Sequence, residues 1–296
     1  MTIRYLKNNK ILILILLLLF SSSVNAEKLV VYTVNYPLQY FAQRIGGEFV
    51  SVHFPVPKNI DPAFWMPEAK IINAYQQADL ILLNGASYAK WVSKASLSRR
   101  RVVNTSKGFK DKYISIKNTV NHQHGPGGEH AHTGTAFTTW LDLNQAALQA
   151  REILKALIRK MPEQEGVFKT NFKSLENDLG LLDKELLNIV SKEPTKRFIA
   201  SHPIYQYFIR RYNLNMIELM WEPDAYPSNK EWNRLTSIKN IKWMVWEDQP
   251  VKRTVNKLTE LGISVITFRP CMNTPEEGDF ISVMQDNLEL LAKAYN

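Results

Sequence analysis

A single cysteine, Cys271, stands in a chain of 296 residues, so no intramolecular disulfide can hold the fold. Long apolar runs are equally scarce. One covers 11–20, about half of the roughly 20 residues needed to span a bilayer, and no second one follows. Arg4, Lys7 and Lys10 precede it, and Ser21-Ser22-Ser23 and Val24-Asn25-Ala26 follow, which is the layout of a secretory signal peptide cleaved after Ala26. The next residue is Glu27 rather than cysteine, so the chain is expected to be exported and not lipidated. Common catalytic motifs are missing too: there is no Gly-x-Ser-x-Gly, no glycine loop for phosphates and no His-Glu-x-x-His. Ser201 and His202 are adjacent, which does not make a nucleophile and its base, and no enzyme is expected. The formal charge of +9 includes three basic residues of the signal. Apart from Arg99-Arg100-Arg101 the cations are scattered, with no groove of interleaved aromatics and arginines, so no nucleic-acid partner is expected.

Histidine, by contrast, is concentrated. Residues 122–132 read His-Gln-His-Gly-Pro-Gly-Gly-Glu-His-Ala-His and hold four of the six histidines. Imidazole is the commonest neutral ligand for zinc, copper and nickel, and a loop can bring several imidazoles onto one ion. His122 with His124, and His130 with His132, are i,i+2 pairs separated by glycines, which favours an auxiliary metal loop over a closed tetrahedral site. The alternative is a solvated loop of low complexity.

Elsewhere short β-rich runs alternate with amphipathic stretches. Strands are expected at 29–34, 50–56 and 79–83, with helices at 38–45, 68–77 and 88–95. The alternation returns with strands at 197–201, 216–220, 243–246 and 264–268 and a last helix at 279–295. This pattern predicts α/β lobes with parallel sheets. Between them lie two strand-free helical patterns. One carries Leu143, Ala147, Ala150, Leu154, Leu157 and Met161. The other carries Phe168, Phe172, Leu175, Leu179, Leu182, Leu186 and Ile189 at spacings 4,3,4,3,4,3, a seam for packing on another helix. Gln39-Tyr40-Phe41-x-x-Arg44 is echoed by Gln206-Tyr207-Phe208-x-x-Arg211, each in the first helix after its half's opening strand. Two related lobes would place a ligand in the cleft between them, at the C-terminal ends of the strands.

Pro57-x-x-x-Asp61-Pro62, Ala78-Asp79-Leu80 before Asn84-Gly85, the histidine-rich insertion before Trp140-Leu141-Asp142, Ser201-His202, Pro227-Ser228, Glu247 and Gly278-Asp279-Phe280 follow one another in this order. Together they resemble the metal-type (zinc/manganese) periplasmic solute-binding proteins of bacterial ABC transporters, across essentially all of the chain after the signal. The resemblance implies an α/β fold of two (β/α) lobes with parallel sheets, joined by a long backbone helix, with the ligand cleft between the lobes. The boundaries it implies are a signal peptide at 1–26 and an N-terminal lobe at 27–141 with the His-rich loop at 121–133. Linking helices then occupy 142–193 and a C-terminal lobe 194–296.

The departures from the family pattern fall on its metal ligands. An Asp-Pro-His pattern is here Asp61-Pro62-Ala63, the histidine expected two residues before Trp140 is Thr138, and the aspartate expected before a proline is Arg269. His202 alone stands where a ligand is implied. Asp61, Glu247 and Asp248 could rebuild a metal shell around it. The expected function is capture of a divalent transition metal, most readily zinc because the loop supplies imidazole, and its delivery to an ABC permease in the inner membrane by a monomer in the periplasm. Manganese prefers more oxygen ligands. Copper(I) would require Cys271, Met272, Met66 or Met220 in the cleft. In the alternative the same scaffold holds an anionic, organic or metal-complex ligand through Trp65, Thr138 and Arg269, or buffers metal through its loop.

Overall fold

The computed structural model describes residues 27–58, 60–116, 121–123, 129–131 and 134–296; the segment 1–26, where a signal peptide is expected, and His124 and His132 lie outside them. β1 (Leu29–Thr33), α1 (Tyr36–Gly46), β2 (Val50–His53), α2 (Ala69–Gln77), β3 (Leu80–Leu83) and β4 (Val102–Asn104) build the first lobe, whose four parallel strands run in the order β2-β1-β3-β4. The helix expected at 88–95 is instead a short 3-10 segment, Lys90–Lys94. Two small antiparallel pairs follow: β5 (Ser115–Ile116) with β8 (Gly134–Thr135), and β6 (Asn121–Gln123) with β7 (Glu129–Ala131), where His122 and His130 are register partners.

α3 (Leu143–Lys160) and α4 (Glu165–Ser191) then join the lobes. The second lobe runs β9 (Arg197–Ala200), α5 (Gln206–Tyr212), β10 (Asn215–Glu218), α6 (Asn229–Ser237), β11 (Trp243–Trp246), α7 (Lys252–Glu260), β12 (Ser264–Thr267) and α8 (Phe280–Tyr295). Its parallel sheet has the order β10-β9-β11-β12, the same plan as the first.

Local chemistry sets the helix ends. Asp142 caps α3 by accepting from the backbone N–H groups of Asn144 and Gln145 at 3.1 and 3.2 Å. Ser228 with Glu231, and Asp279 with Ser282, form reciprocal caps on α6 and α8. α5 ends where Asn213 turns into the left-handed region at φ 51°. Both faces of the second sheet are covered: Phe198 and Ala200 of β9 join the main core with Phe208 of α5, while Ile199 faces a second cluster with Trp232 of α6 and Leu258 of α7. The chain leaving β9 therefore goes to one face and the chain leaving β11 to the other, which opens a crevice between these neighbouring strands.

α4 carries the seam read from the sequence, with Phe168, Phe172, Leu175, Leu179, Leu182, Leu186 and Ile189 all buried. The echoed arginines both end on this helix. Arg44 of α1 meets Asp178 at 2.6 Å, and Arg211 of α5 meets Asp183 at 2.5 Å with a second contact from its Nε at 3.0 Å. Each lobe thus grips the same helix through the same position of a repeated motif.

At the C-terminal ends of the first lobe's strands lies a buried polar network. Asn84 Oδ1 accepts from Asn35 Nδ2, Thr139 Oγ1 and Gln149 Nε2 at 3.3, 3.3 and 3.1 Å, and Asn84 Nδ2 donates to the Phe137 carbonyl at 2.8 Å. These groups satisfy one another, so this end of the sheet is structural.

Leu179 is fully buried at the middle of the seam. Leu179→Ala is expected to lower unfolding stability by about 3 kcal/mol, from lost transfer energy and the cavity left behind. Urea denaturation checks this, and a loss below about 1 kcal/mol would mean that α4 is not the packing centre.

Candidate metal centre

Three donors meet at the C-terminal ends of adjacent strands. His202 follows β9, Glu222 follows β10 and Glu247 follows β11, and one ligand atom of each lies within 4.8 Å of the others. Backbone hydrogen bonds beyond the strands produce the convergence. The N–H of Ser201 donates to the Val245 carbonyl at 2.8 Å, and the Ser201 carbonyl accepts from Trp221 N–H at 2.7 Å. Ser201 is thereby fixed between the two flanking strands, and the side chains one residue beyond Ser201 and Trp221, and two beyond Val245, converge. Val251 N–H donates to the Pro223 carbonyl at 2.9 Å and ties the two glutamate loops together.

His202 is only 1% exposed, and its Nδ1 lies 3.5 Å from Glu222 Oε1. Two donors bound to one tetrahedral zinc at about 2.1 Å sit roughly 3.4 Å apart, so this spacing already suits a shared ion. Glu222 and Glu247 line a cavity of about 770 Å³ between the lobes. Across it stand Pro62, Phe64, Trp65 and Met66 of the first lobe, and Arg269, Cys271 and Met272 form a side.

The structure brings together His202 and Glu247 of the expected set and adds Glu222. Asp61 lines the opposite wall, outside the three-donor group, and its Oδ1 accepts from Ala63 N–H at 2.8 Å in a tight turn. Ala63 is fully buried there. Trp65 and Arg269 also reach the cavity, and Arg269 Nε pairs with Asp248 at 3.8 Å. Thr138 does not line it: this threonine is buried, and its hydroxyl donates to the Ile204 carbonyl at 2.5 Å, a link between the lobes. Of the sulfur residues considered for copper(I), Cys271, Met272 and Met66 line the cavity and Met220 does not; burial and the nearby Asp279 push the Cys271 thiol up to about 12. Glu222 has a signal in the sequence that can be read afterwards. The dipeptide Trp-Glu occurs at 221–222 and 246–247, and the two tryptophan rings lie 6.1 Å apart beneath the paired glutamates.

The remaining landmarks have structural work. Trp140 Nε1 donates to the Pro270 carbonyl at 2.7 Å, and the Asn273 amide donates to the carbonyls of Pro57, Lys58 and Ile60 at 2.7, 3.1 and 2.9 Å. Both tie the two lobes together beside the cavity.

The family model described as zinc-uptake complex component A, periplasmic (ZnuA), matches residues 31–294. The chain belongs to this family. Its members are substrate-binding transport proteins and not enzymes. The zinc-binding lipoprotein AdcA of Streptococcus pneumoniae is 26% identical over 279 residues, 89% of this chain but 55% of AdcA, so the chain spans about half of that relative. The manganese ABC transporter substrate-binding lipoprotein PsaA of the same species is 27% identical over 297 residues, covering 93% of this chain and 92% of PsaA. In fold the ZnuA-family chain is similar to the metal-dependent lipoprotein YcdH of Bacillus subtilis, with a TM-score of 0.77, 24% identity and coverage of 90% of this chain and 98% of YcdH. AdcA and PsaA are both named lipoproteins, and this overturns the expectation that the chain is exported without a lipid. That expectation depends on Glu27, not cysteine, following the predicted cleavage point.

One carboxyl beside the centre titrates unusually. Glu218, at the end of β10, accepts from Gln206 Nε2 at 3.2 Å, and burial raises its pKa from 4.5 to about 7. The folded state then holds a proton that the unfolded chain releases between about pH 4.5 and 7, so this group costs stability as pH rises through that window. Glu218→Gln should therefore stabilise the protein at about pH 8 by roughly 1–3 kcal/mol more than at about pH 4.5. Urea midpoints at the two pH values check this; an equal effect at both would refute it.

Proposed function

We propose that this ZnuA-family chain is the substrate-binding component of an ABC importer for a divalent transition metal, with zinc as its ion. The observation that carries the reading is the group of buried His202 with Glu222 and Glu247, whose two glutamates line a cavity between two lobes. The two glutamates supply the negative charge that draws a dication in, and the buried imidazole supplies the nitrogen ligand. One nitrogen with two carboxylate oxygens is a donor set that zinc accepts and that manganese also tolerates. The four histidines at 122–132 support zinc as the captured ion. The lobe-to-lobe hydrogen bonds of Trp140, Thr138 and Asn273 allow only modest closure, after which the loaded protein would dock on a permease in the inner membrane as a monomer. The names of AdcA and PsaA, one zinc-binding and one of a manganese transporter, support a metal cargo and leave the choice of ion to measurement.

Competition with a chromogenic chelator, for zinc and for manganese, tests this on residues 27–296, on the variants His202→Ala, Glu222→Gln and Glu247→Gln, and on a chain lacking 121–133. One zinc site is expected to survive loop deletion and to weaken at least tenfold, about 1.4 kcal/mol, in His202→Ala, Glu222→Gln and Glu247→Gln. If all zinc binding leaves with the loop, the cavity is not the metal site. Tighter manganese than zinc would reassign the ion.

A further inference from the structure

We infer that the ion is taken up together with a small amino-carboxylate, bound in the same cavity as a ternary complex; the inference rests on the metal reading above. The first argument is the incomplete shell. All three donors come from the second lobe, and a zinc ion held by three protein ligands keeps a position open to the cavity. The facing wall offers Pro62, Phe64 and Trp65, and the residue between them, Ala63, is fully buried and has no ligand atom in its side chain.

The second argument is space. The cavity of about 770 Å³ is far larger than an ion with its water, at roughly 30 Å³ per water, and falls within the 300–1,000 Å³ typical of sites for organic molecules. Half-buried Trp65 and Phe64 give that volume a flat apolar wall against which a carbon frame or an imidazole can lie.

Charge narrows the class. Asp224 and Asp248 line the cavity along with Asp61, Glu222 and Glu247, against the cations Lys58 and Arg269. Such a surface repels a polyanionic chelate and accepts the monocation that a dication forms with one amino-carboxylate. Arg269 stands ready for the carboxylate. Its backbone is fixed by reciprocal hydrogen bonds with the Asn287 amide, at 2.8 and 2.7 Å, and its side chain is 53% exposed with a long 3.8 Å contact to Asp248. A carboxylate can take two parallel N–H groups from this guanidinium while the amino nitrogen completes the metal shell.

The test is native mass spectrometry and zinc-buffered titration of residues 27–296, with L-histidine as the probe amino-carboxylate and citrate as the polyanionic control. A species of one protein, one zinc and one histidine is expected. At fixed free zinc the apparent affinity should rise at least about tenfold with histidine and not with citrate. Arg269→Met should shrink that gain, read as the ratio of affinities with and without histidine, and His202→Ala should abolish the ternary species. Zinc binding at His202 with histidine acting only as a competitor would overturn the inference and leave the metal reading standing. No zinc bound at His202 with either partner would overturn both.

Discussion

Both lobes depend on one helix. α4 buries a continuous apolar seam, and the two related lobes reach it with equivalent arginines, Arg44 to Asp178 and Arg211 to Asp183. The seam supplies most of the stabilisation, because partly exposed ion pairs contribute about 1 kcal/mol or less each. The pairs contribute direction instead. Five positions apart on a helix, the two aspartates point to different sides, so each lobe has one address on the brace.

With the lobes anchored this way, the space between them exists before any ligand arrives. Trp140 and Asn273 tie the lobes together beside it, and the ends of the two sheets are put to different uses. In the first lobe Asn35, Asn84, Thr139 and Gln149 spend their hydrogen bonds on one another. In the second lobe the equivalent ends carry His202, Glu222 and Glu247. A single plan of four parallel strands thus supports a sealed amide cluster on one side and a charged donor group on the other.

Much of this architecture was legible in the sequence. The seven positions of the α4 seam are unambiguous because helical spacing repeats without interruption, and the strands of the second lobe stand out as short β-branched or aromatic runs. β4 was missed because three residues after an arginine run leave too little pattern to read. The segment after β3 has apolar residues enough for a helix yet tightens into a 3-10 turn around buried Trp91. At the centre, His202 and Glu247 could be named from motif position, whereas Glu222 could not. Its membership comes from Ser201 bridging two strands, a register that exists only once the sheet has formed. Thr138 misled for the opposite reason: its place in the motif order points to the cleft, and its hydroxyl is used up on the Ile204 carbonyl.

The one-sided placement of the donors bears on how such a receptor could announce that it is loaded. A ligand biases a two-state hinge only by the difference in its affinity for the two states. An ion touching three side chains of one lobe is held equally well whether the other lobe is near or far, so by itself it exerts no pull across the gap. Only a cargo broad enough to touch the Phe64 and Trp65 wall as well as the glutamates would convert occupancy into a change of shape that a membrane partner could sense.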